Sequence, residues 1–171
     1  MTIKYIDAIS EGFPNTQFSY IGNVSDNIYE NIVWESGDPI PEKSVLDTWI
    51  SAKVKTDLWR LIQAERDRRK SAGVYVAGNW FHTDDTSRIQ FLGLLMYGAN
   101  MPNNIMWKTM SGNFVQMTPT LAQQIFGTIG AKDTAIFTVA ETHRAQMTAS
   151  SDPSSYNYLT GSPAWPTVYG E

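Results

Sequence analysis

The stretch that decides the fold is Glu65–Thr118, ERDRRKSAGVYVAGNWFHTDDTSRIQFLGLLMYGANMPNNIMWKTMSGNFVQMT. It opens as the basic end of a helix, with Arg66, Arg68, Arg69 and Lys70 where cations complement the macrodipole and Gly73 as a left-handed terminator. Val74–Thr83 sets β-branched and aromatic residues around Ala77-Gly78-Asn79, the pattern of a hairpin with a tight glycine turn. Thr83 or Asp84 then caps a helix over about 85–98, its apolar stripe read as Ile89, Leu92, Leu95 and Met96. Asn100, Pro102, Asn103 and Asn104 close it. Ile105–Met110 and Asn113–Met117 flank Ser111-Gly112 as a second hairpin, and the two hairpins are expected to form one small antiparallel sheet of four strands with a helix on a face.

Working outward, a long helix precedes this stretch and another follows it. Pro39 and Pro41 stop what comes before; Ser44 with Asp47 has the spacing of a capping box, and Leu46, Trp49, Ile50, Val54, Leu58, Leu61 and Ile62 form one helical stripe. A helix over about 45–72 would be roughly 40 Å long, enough to project or to bundle with copies of itself. Thr118-Pro119 opens the last helix, with threonine as cap and proline at the first helical position. Its stripe, Leu121, Ile125, Ile129, Ile136, Val139, His143 and Met147, runs to about residue 148. Gly127 and Gly130 each weaken it by about 1 kcal/mol relative to alanine, which makes residue 130 the place for a break.

The flanks differ in composition. Residues 1–43 hold Asn, Gly, Ser and Pro between the short apolar runs Ile6-Asp7-Ala8-Ile9, Phe18-Ser19-Tyr20-Ile21 and Ile32-Val33-Trp34, with turn chemistry at Gly22-Asn23 and Ser36-Gly37-Asp38-Pro39. They read as an extended, strand-bearing docking arm packed on the next helix or on a neighbour. Residues 150–171 are proline- and serine-rich without period and read as an extended docking tail. The expected architecture is therefore α+β, with a core domain over 44–149 between two arms. Too little apolar matter lies in the arms to fold alone, so their rings (Phe13, Phe18, Tyr20, Tyr29, Trp34, Tyr156, Tyr158, Trp165 and Tyr169) are the expected protein interface.

Composition narrows the function classes. The 171 residues carry a formal net charge of −4 with 18% charged side chains, so no basic field exists to hold a phosphate backbone. Cysteine is absent, which removes disulfides, thiol catalysis and thiolate zinc sites. No run of 18 apolar residues suits a membrane span, and the amino terminus lacks an apolar signal core, so a soluble chain made in a cytoplasm is expected. Six tryptophans and 12% aromatic residues are a high load that must be buried in a core or against a partner.

Candidate chemistry is thin. His82, Asp84 and Asp85 are close enough in sequence for a divalent ion, but a helix start wants Asp at its cap and in its first turn. His143 falls on an apolar stripe. Asp26, Glu30, Glu35 and Asp38 are the carboxylates that would pair in a glycosidase, yet they sit among turn residues that favour solvation. Neither a serine nucleophile elbow nor a phosphate-cradling loop is present, and Asn23-Val24-Ser25 is a glycosylation sequon only on secretion. No catalytic, metal or cofactor-binding residue is expected. Trp80, Trp107 and Tyr75, on hairpin strands, are candidate stacking rings for sugars or for a partner's pocket.

Glu65-Arg66-Asp67-Arg68-Arg69 and Gly73, the hairpin ending at Thr83-Asp84, Ser87-Arg88, Trp107-Lys108-Thr109, Ser111-Gly112, Val115, Thr118 and Leu121 together resemble an uncharacterised domain family of bacteriophage tail and tail-fibre proteins, over residues 65–148. His82 stands where an acidic residue is common and Met110 where a polar one is. Phe13-Pro14, Tyr29–Trp34 and Pro39-Ile40-Pro41 are faintly similar to a second phage tail family, XkdW-like. The resemblance implies a non-enzymatic virion protein of the tail, baseplate or tail fibre, made in the host bacterial cytoplasm. It would act as adaptor or fibre-attachment piece through its arms, with other tail proteins as partners. Homo-oligomerisation is expected, a trimer being one arrangement, along a seam of Ile125, Ile129, Lys132, Ile136, Val139 and His143. The alternatives from other classes are a host-surface carbohydrate-binding module and a tail-fibre assembly chaperone.

Overall fold

Ile6-Asp7-Ala8-Ile9, expected within an extended arm, is helical: α1 spans Tyr5–Gly12 and buries Tyr5, Ala8 and Ile9. Asp7 accepts from the Lys4 backbone at 3.0 Å, and Asn27 Oδ1 accepts from the Tyr5 backbone at 2.7 Å, so the exposed amides of the first turn are satisfied by side chains. A helix of eight residues is too short to show its period in sequence, and it is held by these tertiary contacts rather than by propensity. The computed structural model describes residues 3–35, 37 and 40–171. Met1, Thr2 and three residues of the expected turn, Ser36, Asp38 and Pro39, lie outside the described residues.

The chain divides into two units, Met1–Arg60 with Gln146–Tyr156 and Leu61–Ala145 with Asn157–Glu171, both mixing helix with two-stranded antiparallel ladders. In the first unit the strands fall where the sequence places them. β1 (Phe18–Tyr20) pairs with β2 (Ile32–Trp34) in the register Phe18 to Trp34 and Tyr20 to Ile32. Their rings meet α1 and the first part of α2 (Lys43–Lys70) around Tyr5, Ala8, Ile9, Ile32 and Leu46, with Phe13, Phe18, Tyr20, Tyr29, Trp34 and Trp49 packed on that centre. Each tyrosine hydroxyl there is engaged: Tyr5 donates to Asp47 at 2.6 Å, Tyr29 donates to the Pro41 carbonyl at 2.9 Å, and Tyr20 accepts from the Ile28 amide at 2.8 Å. Tyr5, Ala8, Ile9 and Ile32 thus form a small core with Leu46 of α2.

Ser44 is not the cap of α2. The helix already includes Lys43, and Asp47 pairs with Lys43 at 2.8 Å instead of reaching back to a cap. The stripe along the helix is as expected at Leu46, Val54, Leu58 and Ile62, all buried, while Leu61 is exposed.

In the second unit α2 ends in the basic cluster and Gly73, at φ +90, turns the chain into β3 (Val74–Val76) and β4 (Asn79–Phe81). A side chain at Gly73 would displace Met110 and crowd the Phe81 carbonyl, so the space is tight in addition to the glycine-favouring φ. The β3–β4 turn is Ala77-Gly78, both residues at positive φ (48 and 80), which is the type I′ geometry that matches strand twist. α3 (Asp85–Tyr97) starts at Asp84, which accepts from the Ser87 amide and hydroxyl. β5 (Met106–Lys108) and β6 (Phe114–Gln116) form the second hairpin.

The hairpins do not merge into one sheet. β3–β4 and β5–β6 are separate ladders, with the single backbone bond from Met110 N to Trp80 O between them at 2.9 Å. Their inner residues pack with α3 and α4 around Phe81, Phe91, Met117 and Ile125, and Phe91 stacks on Trp107 at 4.3 Å. Side-chain packing across the hairpins takes the place of the expected shared ladder.

α4 (Pro119–Ala149) is one helix, capped by Thr118, whose hydroxyl accepts from the Leu121 amide at 3.1 Å. It does not break at residue 130: about 2 kcal/mol of glycine penalty is outweighed by the burial of Ile125, Ile129 and Ile136. The expected oligomer seam is the same face. Ile125, Ile129, Ile136 and His143 are buried by their own chain, so it offers no open stripe.

Residues 157–171 are irregular but covered by their own unit. Trp165 and Val168 are buried, Trp165 donates its indole N–H to the Tyr158 carbonyl at 2.7 Å, and the Tyr169 amide reaches the Ala72 carbonyl at 3.1 Å.

Candidate interaction surfaces

From Ile89 onward α3 is largely apolar around its circumference, and the structure chooses the face that the sequence leaves open. Phe91 and Leu94 are buried, whereas Ile89, Leu92, Met96 and Tyr97 are 70%, 50%, 83% and 53% exposed. Three of the four residues read as the core stripe therefore face outward; only Leu95 packs against the core. A helix apolar all round belongs in an interior or against a partner. A groove lined by Gln90, Gly93, Leu94, Met96, Tyr97 and Trp107 links this face to the β5–β6 hairpin, which adds exposed Met106 and Phe114.

This surface carries almost no charge. From Ile89 to Ala131 the only charged residue is Lys108. That signal is present in the sequence but hidden behind the helical period, which registers where apolar residues recur and not where charges are missing.

A second surface lies by β3–β4. Tyr75 and Trp80 face each other across the ladder with ring centroids 5.5 Å apart, and Tyr169 meets Trp80 edge-on at 5.9 Å. With Val74, Thr128, Lys132 and Thr167, the rings of Tyr75 and Trp80 line a pocket of about 400 Å³. Lys132 Nζ lies over the Trp80 ring at 5.4 Å and donates to the Gly73 carbonyl at 2.5 Å. Burial lowers Lys132 to about 8, helped by the nearby Arg69 charge and opposed by Glu171 and Asp133. Trp107, the third candidate stacking ring, stands apart from this pair, stacked on Phe91.

The basic cluster is consumed internally. Arg69 is buried and bonds Glu65, the Pro166 carbonyl and Glu171, with its guanidinium over the Trp165 ring at 5.6 Å. Arg68 pairs with Glu65 and Glu171, Arg66 pairs with Asp67, and Lys70 lies over Phe137. The Arg68 hydrogen bond holds Glu65 below the usual carboxylate range, against the opposing effect of burial.

The expected chemical candidates are dispersed. Asp84 is held below its ordinary value by the Ser87 amide and hydroxyl, which fix it as a helix cap. Among the described residues no three His, Asp or Glu side chains come together as metal ligands. Asp26, Glu30 and Glu35 are exposed, and Asp38 lies outside the described residues. His143 is fully buried beside Trp165, and burial lowers its pKa against the opposing effect of a hydrogen bond to the Pro163 backbone. Among the described residues no helix is long and apolar enough to cross a membrane.

The nine rings expected to meet neighbours touch their own chain. Phe13, Phe18, Tyr20, Tyr29 and Trp34 are half-buried around the first unit's core, Tyr156 donates to Gln146, Tyr158 is half-buried, and Trp165 is buried. Tyr169 keeps 42% of its surface open beside Trp80.

A family model described as a domain of unknown function (DUF4376) matches residues 53–160. The matched span contains both surfaces except Thr167 and Tyr169. No curated protein and no solved structure matches the chain.

Proposed function

Because this chain belongs to the DUF4376 family, which carries no assigned activity, we propose on the strength of its own surfaces and of the phage-tail resemblance that it is a non-enzymatic bacteriophage virion component. It would serve in the tail, baseplate or tail fibre, self-associating and holding neighbouring tail proteins. The observation that carries this reading is the uncharged face of α3 and the β5–β6 hairpin. Such a face is costly in water and gains by being covered.

A second copy of the chain is the occupant we assign to it. The chain as a whole is acidic at −4, so two copies repel wherever carboxylates face each other. The span 89–131 holds no carboxylate, and it meets its own copy without that penalty. Ile89, Leu92, Met96, Tyr97, Met106 and Phe114 together offer roughly 700 Å² at about 200 Å² per large side chain, near the roughly 800 Å² per partner of a standard interface. The arms are not required for this contact, since their rings already pack on their own units.

The virion role is tested by mass spectrometry of purified phage particles produced from a genome carrying this gene. The chain is expected in the particle in a fixed ratio to the tail proteins. Its presence in infected cells but absence from particles would remove the structural reading and leave an assembly chaperone in its place.

A further inference from the structure

We propose that the pocket beside β3–β4, lined by Tyr75, Trp80, Thr128, Lys132 and Thr167, binds a carboxylate-bearing sugar ring, a pyranose of the uronic-acid type within an acidic glycan. Such a site is independent of the α3 face and of the virion role.

Lys132 supplies the first reason. Its ammonium is half-buried, and among the described residues no carboxylate lies within 4.0 Å of it. The two acidic groups whose fields reach it are already taken: Asp133 is paired with Arg88 at 2.6 Å, and Glu171 with Arg69 at 2.9 Å. One N–H is spent on the Gly73 carbonyl, which leaves two donors of a partly desolvated cation for an incoming anion. An anion at this place recovers the cost of burying the charge without a paired carboxylate.

The rings and hydroxyls supply the second. Tyr75 is 57% exposed beside Trp80, so an open aromatic surface adjoins the cation. The electron-rich ring faces attract polarised C–H groups, and the C–H face of a pyranose presents several at once. Thr128 Oγ1 donates to the Gln124 carbonyl at 2.7 Å, which commits its proton and leaves its lone pairs to accept from a sugar hydroxyl. At about 400 Å³ the pocket lies within the range of small-molecule sites. A plain carboxylate would use Lys132 but leave the rings bare, and a neutral sugar would use the rings but leave Lys132 without a counter-ion.

The test titrates the full chain with methyl β-glucuronide, methyl β-glucoside and an acetylated acidic dipeptide, followed by tryptophan fluorescence and by the amide resonances of residues 74–81 and 128–132. The glucuronide is expected to bind about tenfold tighter than the glucoside, and tighter than the dipeptide. Its affinity should fall between pH 7 and 9.5 as Lys132 loses its proton, with Arg69, Glu171 and Asp133 as the other charged groups in reach. Lys132→Met should remove the preference for the acid, and Tyr75→Ala should weaken both sugars. Equal affinity for glucuronide and glucoside, tighter binding of the dipeptide, or no glucuronide binding at roughly tens of millimolar would each overturn the proposal. All three outcomes are read on the unaltered chain, so none depends on a variant folding.

Discussion

The hydroxyl of Thr83, 1% exposed, donates to the Lys70 carbonyl at 2.7 Å and accepts from the Gly73 amide at 2.9 Å. The Lys70 carbonyl also receives Arg88, so it keeps a partner if Thr83 is lost, whereas the Gly73 amide is left without one. Thr83→Val preserves shape and should cost about 1–3 kcal/mol through that one buried amide, read from the midpoint of urea unfolding. A loss below about 0.5 kcal/mol would mean that the amide finds water. His143 gives the pH dependence. Burial lowers its folded-state pKa below the unfolded value of about 6.5, so the unfolded chain takes up the proton first. Stability from this group is fully present above about pH 6.5 and is lost as the pH falls from there toward the folded pKa. Unfolding midpoints should therefore drop between pH 7 and 5.5, and the drop should shrink in His143→Leu; an equal drop in the variant would assign it to carboxylates.

At the scale of elements, α3 shows what pattern can and cannot decide. A cap at Thr83 or Asp84, of which the structure takes Asp84, and the helix itself are legible in the sequence, because capping chemistry is local. Which side faces the core is not. Ile89, Phe91, Leu92, Leu94, Leu95, Met96 and Tyr97 lie around most of the helix, so more than one stripe fits, and the packing of Phe91 against Phe81 and Trp107 selects one. The two hairpins are legible from Gly78 and from Ser111-Gly112, but their failure to share a ladder is not, since it depends on the long-range packing of Phe81, Phe91 and Met117. Alanine substitution separates the two faces. Phe91→Ala should destabilise by about 3–5 kcal/mol, as a buried ring does. Met96→Ala, at 83% exposure, should change monomer stability by less than about 0.5 kcal/mol. A Met96 cost near that of Phe91 would contradict the assignment of faces.

Across the whole chain, sequence reasoning places α2, the hairpins and α4 within a few residues, and its α+β class stands. What it misses is how much of the flanks packs on their own units. Trp165 and Tyr169 look stranded in a proline-rich tail because nothing local indicates that Arg69, His143 and Trp80 meet them from three distant positions. Likewise the rings of residues 13–34 gain their cover from α1 and from Leu46, Trp49 and Ile50, and α1 is itself too short to foresee. With the flank rings packed largely on their own units, the surface we propose for self-association is the one that lacks charge, α3 with the β5–β6 hairpin. Light scattering on the purified chain, unaltered and as Ile89→Asp with Met96→Asp, tests this most directly. The expected result is a species of at least twice the single-chain mass that falls to one chain in the double variant, with circular dichroism unchanged. An unaltered chain that stays at the mass of a single copy at roughly 100 μM, a weak-binding concentration, would contradict self-association through this face.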